Sequence, residues 1–211
     1  MENNKPIIIS VGRQLGSGGH AVAKLLAEAF GAKLYDKELL NIAARESGFS
    51  EKFFERNDER SGFLKSLTHV GSAFGLNSCF YDNKFSEDGL FKFQSDAIRR
   101  AAKAGSSVFV GRCADYVLRD MPNMVSVFVT ADKAERTLQV SQRNHCTEEA
   151  AWKLICEEES KRSSYYNYYT GKRWGFSASY DLCVNTSRLG IEGSAAHIRQ
   201  FIETWMAQGK H

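Results

Sequence analysis

Residues 6–21 read PIIISVGRQLGSGGHA, and this stretch decides the fold. Pro6 to Val11 is a short β-branched apolar run, the composition of a strand buried on both faces. Gly16-Ser17-Gly18-Gly19-His20 follows and leads into Ala21 to Phe30, an alanine- and leucine-rich helix closed by Gly31. Strand, glycine cluster and helix together make an anion site. Successive glycines let backbone N–H groups turn inward, and the helix N-terminus adds the positive end of its dipole. Three glycines in four positions exceed what a plain strand-to-helix turn requires.

Downstream, strand-like and helix-like segments alternate. Lys33 to Tyr35 reads as a brief strand, with Asp36 as the cap of the next helix. Gln94 to Ala104 reads as a helix stopped by Gly105 and feeding the strand Ser107 to Val110. Met124 to Val129 is a further strand. Asp132 with Glu135 forms a capping-box pattern, and Thr147 before Glu148 and Glu149 opens the next helix. Asp181 to Asn185 is the last strand. Ile198, Phe201, Ile202, Trp205 and Met206 then mark one apolar face of a final helix. This alternation implies right-handed crossovers and a parallel sheet covered on both faces, so the fold class is α/β.

The 211 residues suit a single domain over 1–211, and 43% hydrophobic, 25% charged residues with only two prolines exclude a disordered or low-complexity chain. No apolar run approaches a membrane span and the N-terminus lacks a signal-peptide layout, so no membrane partner and a cytoplasmic location are expected. A net charge of +3 argues against nucleic acid as a partner. The five scattered cysteines contain no Cys-x-x-Cys pair, which points to reduced, mostly buried thiols. His69, His145 and His197 lack companions at ligand spacing, so no metal site is read from the residues.

Two segments break the alternation. Residues 50–88 are polar and rich in phenylalanine, without a sustained period. Residues 160–180 carry Lys161, Arg162, Lys172 and Arg173, no acid, and seven aromatic residues. A basic, aromatic segment late in an α/β domain suits a lid closing over phosphate and base.

Two phosphate motifs compete for the glycine loop. Gly16, Gly18 and Ala21 satisfy G-x-G-x-x-G/A, and Asp36 lies twenty residues after Gly16. Four residues, Gly12 to Leu15, separate strand from glycines, which is longer than the dinucleotide-binding turn and closer to a mononucleotide loop. The pattern G-x-x-x-x-G-K-[ST] is not met either. Arg13 takes the first glycine position, Gly19 replaces lysine, and His20 replaces the hydroxyl residue.

Further stretches carry a resemblance. ISVGRQLGSGGHAVAKLLAEAFG, LYDKELL, VFVGRCADYVLRDMPNMVSVFVTADKAER and YDLCVNTSRLG, in this order and spacing, resemble the cytidylate kinase family and above all its cytidylate-kinase-like branch. The resemblance implies a three-layer P-loop kinase-like fold with a five-stranded parallel sheet in the order 2-3-1-4-5, an acceptor-binding insert at 50–88 and a lid at 160–180. It also implies ATP with Mg²⁺ as donor and small-molecule nucleotide substrates, cytidylate among them. Carried over by position, Gly16, Ser17, Gly18, Gly19 and His20 would wrap the donor phosphates, and Asp36 would face the acceptor's sugar or base. Arg112 would hold the acceptor phosphate. Arg162, in the Glu159-x-x-Arg162 pattern, would bridge acceptor phosphate and transferring phosphoryl. Thr186 and Ser187 would lie beside adenine.

The departures from the family pattern are Gly19 for lysine, His20 for Ser/Thr and Cys113 for the aspartate of G-R-D. Arg13, His20, Lys161 and Arg162 are the cations available to replace the lysine, with Arg13, Arg112 and Arg162 taken as catalytic. Asp115 and Asp120 are the carboxylates available to hold metal through water. A nucleotide-binding protein of the same fold with little or no kinase activity is the alternative reading. A nicotinamide oxidoreductase and a single-strand binder stacking bases on tyrosines are more distant ones.

Overall fold

The computed structural model describes residues 6–36 and 77–209, with residues 77–87 described by backbone alone. The strands are β1 (Ile8–Arg13), β2 (Lys33–Tyr35), β3 (Ser107–Val110), β4 (Met124–Thr130) and β5 (Leu182–Asn185). All pair in parallel, in the order β2-β3-β1-β4-β5. The central strand is the apolar run at the start of the chain. Ile9 lies opposite Val108 and Val125, and Val11 opposite Val110 and Val127.

Alternate residues of β1 point to opposite faces, and both faces are dry. Ile7, Ile9 and Val11 pack in one cluster with Val22, Ala23 and Leu26 of α1 (Gly19–Ala29) and Ile198 and Ile202 of the C-terminal helix. Ile8 and Ser10, with Phe109 and Phe128 from the neighbouring strands, are equally buried on the other side. That is the physical basis of the near-continuous apolar strands.

The remaining helices are α2 (Asn77–Ala104), α3 (Ala114–Val117), α4 (Lys133–Asn144), α5 (Glu148–Thr170) and α6 (Thr186–Ala207), the last interrupted at Gly190 (φ 69°, ψ 178°). Among the described residues no helix is long and apolar enough to cross a membrane. The chain divides into two compact units, Met1–Lys37 with Ile98–His211, and Glu38–Ala97. The described part of the second unit is the N-terminal portion of α2.

Several sequence readings need correction. Helix α2 spans Asn77–Ala104 and so extends well before Gln94, because Asn77 to Asp88 carries no apolar period to mark it. The rest of the expected acceptor insert, residues 50–76, and the helix expected after Asp36 lie outside the described residues. Helix α5 runs to Thr170 and ends on Gly171 (φ 67°), so half of the segment 160–180 is regular helix. Its serines, asparagine and tyrosines are middling helix formers, and the buried Tyr166 supplies the tertiary contact that propensity does not. Thr147 caps α5 as expected, accepting the Ala150 N–H at 3.3 Å. Asp132, by contrast, makes no side-chain cap. Its carboxylate instead accepts the Asn185 amide at 2.9 Å, a contact between the turns after β4 and β5 that outcompetes the local one.

Candidate active site

The glycine loop leaves the C-terminal end of β1, the edge where open parallel sheets bind ligands. Gly16 (φ 82°) and Gly18 (φ 71°) are left-handed, and a Cβ on Gly16 would stand 2.7 Å from the Arg136 carbonyl oxygen. Both positions therefore require glycine. The loop is held from three sides. Gln14 N–H donates to the Val129 carbonyl at 3.0 Å and Leu15 N–H to Glu159 Oε1 at 3.1 Å. Thr186 Oγ1 donates to the Ser17 carbonyl at 2.9 Å. Leu15 also packs on Val140, Ala151 and Ile155, where α4 and α5 meet. Gly18 supplies no side-chain cap, and the N–H groups of the first turn of α1 have no carbonyl in the helical ladder.

Glu159 is the keystone of this arrangement. Its Oε1 also accepts Arg136 Nη1 at 2.5 Å, and Arg136 is buried behind the loop. Sequence reading placed Glu159 in a lid pattern and passed over Arg136. One turn along α5, on the same face, Arg162 Nη1 donates to the Arg13 carbonyl at 3.3 Å.

The three arginines read as catalytic do come together. Burial and the neighbouring Arg162 and Arg112 lower Arg13 to about 10, opposed by Asp36. Arg162 is lowered by burial, and Arg143 and Arg112 add to this against Glu158 and Glu159. The acids in reach are partly occupied: Glu159 by Arg136 and Leu15, Glu158 by Lys161 at 2.7 Å. An excess of guanidinium charge beside a helix N-terminus suits a multiply charged oxyanion. Lys161 is exposed, and its ammonium is engaged by Glu158.

Arg112 stands on strained backbone. Gly111 (φ 74°), Arg112 (φ 58°) and Cys113 (φ 56°) are left-handed in succession. A non-glycine residue in this region costs on the order of 1–3 kcal/mol, and such strain clusters at sites where a side chain must be aimed. The Arg112 guanidinium lies 5.7 Å from the Tyr165 ring centre. Cys113 is buried, and burial with Asp115 pushes its thiol up to about 12, overriding Arg112. The reading of mostly buried thiols holds for Cys113 and fails for Cys156 and Cys183, which are exposed.

Asp115 is buried beneath this segment and accepts the Tyr166 hydroxyl at 2.6 Å, with Lys172 Nζ 4.0 Å away. Burial raises its pKa, against the Tyr166 hydrogen bond and Lys172. Tyr166 stacks on Tyr180 at 6.1 Å, and both hydroxyls are held above their ordinary value, chiefly by burial. Tyr180 and Trp174 pack on Phe128.

His20 and Asp36 face each other at 3.6 Å, both partly exposed. Thr186 and Ser187 are committed to the scaffold. Thr186 Oγ1 also reaches the Thr130 carbonyl at 3.1 Å, and Ser187 Oγ accepts the Asp132 N–H at 2.8 Å. Among the described residues no three His, Cys, Asp or Glu side chains gather as a metal site. Asp120 is exposed beside Arg119, and Asp115 Oδ2 is taken by Tyr166. The described donors thus do not build a Mg²⁺ site of their own.

Residues 8–188 match the model of the cytidylate kinase-like family. The chain belongs to that family. Similar curated proteins include the cytidylate kinase of Methanococcus vannielii, 26% identical over 190 residues, covering 89% of this chain and 94% of that protein. That of Pyrococcus horikoshii is 25% identical, covering 93% and 88%. Among solved structures, an uncharacterized protein from Eubacterium ventriosum is 30% identical with a TM-score of 0.71, covering 93% of this chain and 98% of its own. Shikimate kinase from Bacteroides thetaiotaomicron shares the fold at a TM-score of 0.53 and 14% identity, again over 93% and 98%. The P-loop kinase fold with strand order 2-3-1-4-5 is thus shared beyond the family.

Proposed function

We propose that this family member is an ATP-dependent phosphotransferase of the nucleoside monophosphate kinase type, with cytidylate as the acceptor to test first. The observation that carries the proposal is the convergence of Arg13, Arg112 and Arg162 at the glycine loop. Phosphoryl transfer has a loose, highly charged transition state, so catalysis consists mainly of positioning and cationic stabilisation. In this reading the loop Gly16 to His20 wraps the donor phosphates of ATP, which brings Mg²⁺ with it. Arg112 holds the acceptor phosphate, Asp36 faces the acceptor, and Arg162 spans the two phosphates. Thr186 and Ser187 hold the turn beside adenine. Residues 160–180 act as the lid, closed when Tyr166 meets Asp115 and Arg162 meets the Arg13 carbonyl. Residues 50–88 contribute the acceptor insert.

A second reading, a nucleotide-binding protein of this fold with little kinase activity, is favoured by Gly19 and Cys113 standing where the pattern has lysine and aspartate. One experiment separates the two. ATP and GTP are each incubated with every common nucleoside monophosphate and Mg²⁺, and diphosphate formation is followed by chromatography. Turnover with cytidylate is the expected result. ATP binding with no turnover on any acceptor replaces the first reading with the second.

A further inference from the structure

The lysine of G-x-x-x-x-G-K-[ST] reaches the β- and γ-phosphates from the C-terminal end of the loop. Here Gly19 occupies that position, and Arg13 occupies the position of the first glycine. The two departures share one volume. A Cβ on Gly19 would stand 2.5 Å from Arg13 Cβ, closer than real Cβ atoms come, and 3.0 Å from its Cγ. Side chains cannot occupy both positions in this backbone.

The far end of Arg13 has a second glycine opposite it. A Cβ on Gly111 would run into Arg13 Nη1. Gly19 clears the stem of this side chain, and the flexible head group passes beside Gly111. The head group is thereby led from the end of β1 toward the start of the strained Gly111-Arg112-Cys113 segment, beside Arg112, Arg162 and Asp36. Local structure alone does not ask for an arginine there. In the sheet, Arg13 contributes a backbone register position opposite Val129, which many side chains would satisfy.

We propose that Arg13 is the cation that grips the donor's phosphate chain, the loop having exchanged its lysine and its first glycine. This inference rests on the nucleotide reading above and adds the residue that compensates for the missing lysine. A guanidinium in that role offers a planar fork to two phosphate oxygens, whereas an ammonium acts as a point charge. By this geometry a lysine at 19 would meet the stem of Arg13, so the shared space admits one cation, from either end.

The test uses the full chain. Arg13→Met keeps the apolar stem and removes the charge. It is expected to leave the thermal midpoint near that of the unaltered protein. Binding of ATP and of inorganic tripolyphosphate, measured by calorimetry, should weaken at least about tenfold, and any turnover should fall on the order of 100-fold. The exchange itself is tested by Arg13→Gly alone and by the pair Arg13→Gly with Gly19→Lys, each checked for folding by circular dichroism. The pair is expected to recover tripolyphosphate binding lost in Arg13→Gly. Arg13→Met binding both ligands as tightly as the unaltered protein overturns the assignment of Arg13 while leaving the nucleotide reading intact. A folded pair that recovers nothing overturns the exchange. An unaltered protein that binds neither ATP nor tripolyphosphate overturns the nucleotide reading, and this inference with it.

Discussion

Glu159→Ala is the substitution that most directly probes what holds the glycine loop in shape. One carboxylate oxygen accepts both Arg136 Nη1 at 2.5 Å and Leu15 N–H at 3.1 Å. The Arg136 side chain is 6% exposed and that of Glu159 18%. Truncation therefore leaves a guanidinium buried without its acceptor and a loop N–H without its own. Breaking a buried pair from one side costs about 3–5 kcal/mol. Glu159 keeps an edge in water, so the lower end, about 3 kcal/mol, is expected. For a chain of this size the thermal midpoint should fall by about 6–12 °C, from the usual 2–4 °C per kcal/mol. Glu159→Gln retains an oxygen for Leu15 and should lose only about 1–2 kcal/mol. Urea unfolding followed by circular dichroism, repeated in an Arg136→Met background, measures the pairing itself. There Glu159→Ala should cost about 1 kcal/mol, because only the Leu15 N–H, and no buried cation, loses its acceptor. Additive losses in the double variant, or a thermal midpoint for Glu159→Ala within about 2 °C of the parent, would refute the reasoning.

Arg112→Ala should weaken cytidylate binding more than ATP binding in calorimetry; equal losses would mean that Arg112 serves a different phosphate. Asp115 is raised above its ordinary value of 3.8 by burial, so the folded chain binds this proton more tightly than the unfolded one. The stability it contributes is complete below about pH 4 and declines as pH rises through the native value. The urea midpoint of the parent relative to Asp115→Asn should therefore drop between pH 4 and 7, and a difference that is flat or rises with pH contradicts the burial argument. By hydrogen exchange, residues 160–180 should exchange faster than β1 and β4 without ligand and become protected with a bisubstrate analogue. Equal protection in both states removes the lid.

The fold was legible wherever the signal is local. The β1 run, the glycine cluster, Gly31 closing α1, Thr147 capping α5 and the apolar face of α6 all express rules that act within one or two turns. Local rules misled where a distant partner competed for the same group. Asp132 has a capping-box sequence, yet its carboxylate goes to Asn185, 53 positions away. Glu159 and Arg162 were noticed as a pair, and their spacing correctly puts them on one helical face. Nothing in that spacing tells which loop the face meets.

The parallel α/β class and the glycine loop ahead of α1 can be read residue by residue, because side-chain period and glycine's conformational freedom are local properties. How the parts meet is a property of the folded chain. Arg162 meets the Arg13 carbonyl across 149 positions, Glu159 meets Leu15 N–H across 144, and Thr186 meets the Ser17 carbonyl across 169. The mutual exclusion of side chains at Arg13 and Gly19 likewise depends on the path of the loop between them. Charge and volume act through distance in space, and in this chain that distance is set by the packing of β1, α5 and α6.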